Sequence, residues 1–76
     1  EVSIFTQNGQ LIYNVEASNK DFKSIVLYDM QGKIVLEAPI TLKRGSISTQ
    51  SLSAGIYVAT FFVEKQTSVS KKFIIK

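Results

Sequence analysis

Turn-forming residues punctuate this chain about every ten positions, and no window between them carries a convincing 3.6-residue apolar period. That spacing favours short strands over helices of ordinary length. "EVSIFTQ" alternates Val2 and Ile4 with polar neighbours, and Asn8-Gly9 then supplies a two-residue hairpin signal with Gly9 at a turn position. "QLIYNVEA" is the return strand, with Leu11, Tyr13 and Val15 on one face, and "SNKD" (18–21) reads as a polar loop. "KSIVLYD" and "GKIVLEA" flank a second turn, opened by Asp29 and given a positive φ by Gly32. Ile25 and Leu27 point to one face there, Val26 and Tyr28 to the other, and Pro39 ends the strand because it has no N–H to donate. "ITLKRGS" is expected to be a connection or an edge strand, with Arg44-Gly45 marking its turn. Ile47 is an inward candidate, and Leu52 tucks under the loop "SLSAG". A long strand follows from Ile56, then a Lys65-Gln66-Thr67 turn, and "SVSKKFIIK" closes the chain. "EASNKDFKSI" allows one helical turn at most. About seven strands in this length predict the all-β class: a small antiparallel β-sandwich, Ig-like in plan.

The longest strand is apolar on both faces. In "LSAGIYVATFFVE" (52–64), alternation sends Tyr57, Ala59, Phe61 and Val63 to the core. Ile56, Val58, Thr60 and Phe62 go to the other side. The run is far short of the ~20 residues a membrane span requires, so membrane insertion is not expected. A strand of this kind is either central and covered twice, or partly exposed and open to a partner. Double cover is hard to arrange in 76 residues, which favours the partner surface.

Composition removes most chemistry. The chain has no Cys, His or Trp, so neither Ser-His-Asp nor Cys-His catalysis is available, nor a disulfide or thiolate metal site. The acids Glu1, Glu16, Asp21, Asp29, Glu37 and Glu64 are isolated in sequence. None of their surroundings has calcium-loop spacing, and no glycine-rich phosphate loop is present. No catalytic residue, metal or cofactor is therefore expected. The net charge of +3 is scattered apart from Lys43-Arg44 and Lys71-Lys72, unlike the concentrated basic face of a nucleic-acid module. No stretch reads as a signal peptide. The sequence opens on a strand without Met, and residues 1–76 are expected to be one domain, the C-terminal piece of a longer protein.

Three segments in order carry a resemblance. "IVLYDMQGKIV" (25–35) is similar to an aliphatic–Tyr-Asp–x-x-Gly-(Lys/Arg)–x-Val hairpin. "LSAGIYVATF" (52–61) is similar to a Leu–x-x-Gly–x-Tyr-Val strand, and "KKFIIK" (71–76) to a Lys–x-x-x-Lys ending. Together they resemble the type A C-terminal sorting domain of cargo proteins of the type IX secretion system of Bacteroidetes. The likeness spans nearly the whole chain. It departs at the opening strand, where "IFTQNGQ" stands in place of the family's Tyr-Pro-Asn-Pro-like segment.

The resemblance implies an address label rather than an enzyme. The cargo would fold in the periplasm and cross through an outer-membrane translocon, aided by shuttle proteins. A sortase-like cysteine peptidase would then cut upstream of residue 1, and the cargo would be released or joined to an anionic lipopolysaccharide at the cell surface. Carried over by position, the recognition candidates are Gly55, Tyr57 and Val58 in the glycine-tyrosine strand, and Lys72, Phe73, Ile74, Ile75 and Lys76 at the end. Strand addition along "KKFIIK" would supply main-chain bonds and side-chain pockets, while its lysines discourage pairing between copies. Plainer roles stand beside these. Gly55 allows a positive φ on entering a strand, Tyr57 packs in the core with its hydroxyl at the rim, and the closing strand completes a sheet. Two other readings remain open: a spacer or carbohydrate-binding module of a secreted enzyme or adhesin, and a subunit or homodimer assembling through edge strands.

Overall fold

Asn8 and Gly9 both hold positive φ, 53° and 76°. The chain thereby reverses in two residues between β1 (Ser3–Gln7) and β2 (Gln10–Asn14), a turn whose twist suits paired strands. The computed structural model describes residues 2–63 and 68–76, and all of its regular structure is strand. The remaining strands are β3 (Phe22–Asp29), β4 (Ile34–Pro39), β5 (Arg44–Ser48), β6 (Gly55–Val63) and β7 (Ser68–Ile75). They form two antiparallel sheets, one ordered β1-β2-β5 and the other β4-β3-β6-β7. The architecture is a small all-β sandwich. The expected turn at Lys65-Gln66-Thr67 lies outside the described residues.

The core forms where the alternating positions of the two sheets meet. Leu11, Tyr13 and Val15 of the β2 segment face Ile25, Leu27, Ala59 and Phe61 of the larger sheet, all of them buried. Phe61 lies at the centre. Tyr13 and Phe22 each meet its ring edge-on, with centroids 5.9 Å away, the arrangement aromatic quadrupoles prefer. The strand apolar on both faces is central, paired with β3 on one side and β7 on the other. Its second face has no further layer over it among the described residues. Thr60 and Val26, directly opposite each other on that face, are nevertheless buried by their neighbours. A Thr60 Oγ1–Ser70 Oγ hydrogen bond of 3.1 Å satisfies the hydroxyl.

One expectation is corrected. Arg44-Gly45 is not a turn: both residues begin β5, and Gly45 pairs with Tyr13 of β2. A Cβ at Gly45 would lie 2.6 Å from the Tyr13 ring carbon Cζ. The glycine is there because the Tyr13 ring sits against it, a close approach that glycine alone permits.

The sandwich has two distinct poles. Val2 lines a cleft of about 370 Å³ with Ser18, Lys20, Phe22 and Val69 at one end. Ile75 and Lys76 line another, of about 290 Å³, with Gly9, Thr49 and Leu52 at the other end. The long axis of the molecule is 32 Å.

Candidate functional site

The Gly-x-Tyr-Val segment and the terminal segment are far apart in sequence, yet they pair residue by residue. Gly55 lies opposite Ile75, Ile56 opposite Ile74, Tyr57 opposite Phe73, and Val58 opposite Lys72. One antiparallel ladder thus brings seven of the eight recognition candidates together at the second pole. Lys76 follows immediately, exposed.

Alternation divides these residues into two sets. Tyr57 and Phe73 point into the sandwich, both buried, with rings stacked at 5.7 Å and an interplanar angle of 24°. Ile75 also packs against the core. Val58, Lys72 and Ile74 lie on the outer face, where Lys72 is exposed and Ile74 is 54% exposed. Tyr57 and Phe73 are closed off inside the sandwich, whereas the outer set, Lys76 and the partly buried Ile75 at the cleft are available to another molecule.

The loop before β6 is fixed by Tyr57. Its hydroxyl donates a 2.7 Å hydrogen bond to the Ser53 carbonyl, four residues upstream. The bond spans the crossing from the smaller sheet to the larger one, as the tyrosine corner does in other β-sandwiches. Leu52 packs against the core below, and its N–H bonds the Thr49 carbonyl at 3.0 Å. The Leu–x-x-Gly–x-Tyr pattern is therefore a corner: plug, loop and clamp. Gly55 enters β6 at φ 158°, a positive φ that residues with a side chain rarely adopt, so a substitution there is strained whatever the space. A Cβ there would find Tyr57 Cε1 at 3.8 Å, an ordinary contact.

The Asp29 carboxylate closes the β3–β4 turn. Its Oδ1 accepts from the N–H groups of Gln31 and Lys33 at 2.9 and 3.0 Å. Gly32 takes φ 86° in the same turn. The turn brings Ile34 opposite Tyr28 across a bulge. Tyr28 also pairs with Val58, so Ile34, Tyr28, Val58 and Lys72 form one row across all four strands. Sequence reasoning missed the Ile34 and Tyr28 end of this row. The signal lay in the alternation of "IVLYD", but assigning Ile34 to the same face requires knowing where the bulge falls.

No group of three or more His, Cys, Asp or Glu among the described residues could hold a metal. Among the described residues no helix is long and apolar enough to cross a membrane. Burial raises the Tyr13 phenol above its ordinary pKa of 10.0. The neighbouring Lys23, by hydrogen bond and charge, lowers the Asp21 carboxyl. Asp21 is near the first pole, and its shift reflects a surface ion pair of 2.9 Å.

Comparison with known proteins gives one family. No curated protein and no solved structure matches. Residues 12–76 match the secretion system C-terminal sorting domain, leaving out β1, the strand where "IFTQNGQ" departs from the family pattern. With most of the chain covered, including the Tyr57 corner and the closing strand, it belongs to the C-terminal sorting domains of the type IX secretion system.

Proposed function

We propose that this domain is the removable address of a folded cargo attached ahead of residue 1, recognised at the pole that carries Gly55–Val58 and Lys72–Lys76. Export to the cell surface or extracellular space follows from membership of the family, a family of signals rather than catalysts. In this reading the cargo waits in the periplasm and is carried to the outer-membrane translocon with the help of shuttle proteins. A sortase-like cysteine peptidase then cuts upstream of residue 1.

The observation that carries the proposal is the pairing of the two family segments at the pole opposite Val2. A cargo joined ahead of Val2 leaves that pole clear. A folded tag needs nothing more than a shaped surface, and no reactive group is required of it. The carbohydrate-binding alternative gains no support from the tyrosines. Tyr13 and Tyr57 are buried, so neither adds to an exposed sugar platform of the kind aromatic side chains provide.

The test is a fusion. A neutral periplasmic passenger is placed ahead of residue 1 in a type IX-competent host and its location followed by fractionation. The intact domain is expected to bring the passenger to the surface or medium. Removal of residues 72–76 is expected to leave it in the periplasm. Retention of the intact fusion, or normal export of the truncated one, would reject the assignment.

A further inference from the structure

We infer that the docking surface is the outer face of the larger sheet at the second pole, and that it takes a small apolar protein patch bearing a carboxylate, on a component of the export machinery. The inference rests on the sorting role above. It differs from strand addition at β7 because most of the face lies on other strands.

The face is built from two rows. Ile34, Tyr28, Val58 and Lys72 cross the four strands in register, and the Ile56–Ile74 pair lies beside them. Ile34, Ile56 and Ile74 are 51%, 42% and 54% exposed. Three half-exposed isoleucines joined in register through half-buried Tyr28 and Val58 make a stripe rather than isolated apolar residues.

Charge and size choose the occupant. Lys72 forms no ion pair among the described residues. Asp29 is the acid nearest the row in the chain, but its carboxylate oxygen is engaged by two backbone N–H groups of its own turn. Glu37 shares the face but lies on β4, opposite Val26; three strand spacings place it about 14 Å from β7. A purely apolar partner would strip water from an unpaired ammonium, which is costly unless a carboxylate replaces it. The partner must therefore bring an acid. Four strands and two rows give the stripe an area on the order of 200 Å². That is about a quarter of the ~800 Å² each partner buries in a stable complex, which argues against a lasting dimer of this chain. A signal handed from one component to the next needs only a brief contact of this size, given direction by charge.

The passenger fusion tests the face with single variants. Ile34→Thr changes β4, which strand addition at β7 would not sense, and Lys72→Glu reverses the charge. Each is expected to lower export roughly ten-fold, the effect of weakening a contact by about 1.4 kcal/mol. Leu42→Thr on the β4–β5 connection is expected to export as the parent does, and Lys72→Arg, which keeps the charge, to lose far less export than Lys72→Glu. Thermal melts of the 76-residue chain check that each variant folds. If Ile34→Thr unfolds it, the Lys72→Glu and Lys72→Arg pair decides. An acid-to-lysine change in an outer-membrane component that restores export of Lys72→Glu would identify the carboxylate. Unchanged export of folded Ile34→Thr and Lys72→Glu, with the parent fusion still exported, overturns the docking face and leaves the sorting role standing. Failure of the parent fusion removes the sorting role itself, and the docking face with it. Two further results would replace the occupant and overturn the inference. One is a dimer in sedimentation that Lys72→Glu dissolves. The other is binding to phosphatidylglycerol vesicles that Lys72→Glu abolishes.

Discussion

Tyr13 and Tyr57 show how single side chains set the limits of this fold. Tyr57 clamps the β5–β6 corner through Ser53 and stacks on Phe73, so one residue ties the loop to both paired segments. Tyr13 covers Gly45 and meets Phe61 edge-on. Burial raises its phenol pKa, which couples the fold to alkaline pH. The unfolded chain, with a phenol pKa of about 10, loses its proton before the folded one does. The stabilising contribution is therefore complete below pH ~10 and declines as pH rises beyond it. Thermal melts between about pH 8 and pH 11 are expected to show a fall in Tm above pH ~10 that is shallower in Tyr13→Phe. Gly45 also marks where sequence reading stopped. A glycine after Lys43-Arg44 has the same signature whether it ends a strand or makes room for a ring. Only the partner strand distinguishes the two.

At the scale of elements, the hairpins were the most legible part of the chain, because alternation and turn chemistry agree locally. The inward and outward faces of β2, β3 and β6 follow from period-two patterning alone, and Asn8-Gly9 fixes its turn without help from the rest of the fold. Phe22 was harder to place, since it follows a polar loop and its burial against Phe61 depends on the opposite strand. The candidate site was legible as two segments. That they pair, and that pairing turns Tyr57, Phe73 and Ile75 inward, comes from register, which no single segment encodes. The β3–β4 hairpin yields its own prediction. Asp29→Ala removes an acceptor that holds two turn N–H groups and should cost about 1 kcal/mol. In a domain of this size that is roughly 4–8 °C in Tm. Asp29→Asn should retain most of the stability, since its amide oxygen can still accept; equal losses in the two variants, measured by thermal melts, would contradict this account.

For the whole molecule, polarity along the long axis is the property that matters. Val2 is at one pole, and the paired family segments are at the other. Moving the passenger from ahead of residue 1 to behind Lys76 would place its bulk against Ile74, Lys72 and the neighbouring row. Export of that reversed fusion is expected to fall to the level of the tag lacking residues 72–76, read by the same fractionation.

If the export machinery reads the Gly55–Val58 and Lys72–Ile75 stretches together, as proposed above, a newly made tail still in disorder spells no destination, because the two become neighbours only through the β6–β7 ladder. Delivery and maturation are thereby joined: a polypeptide with a misassembled tail carries the same letters as its properly formed sibling but not the word they compose.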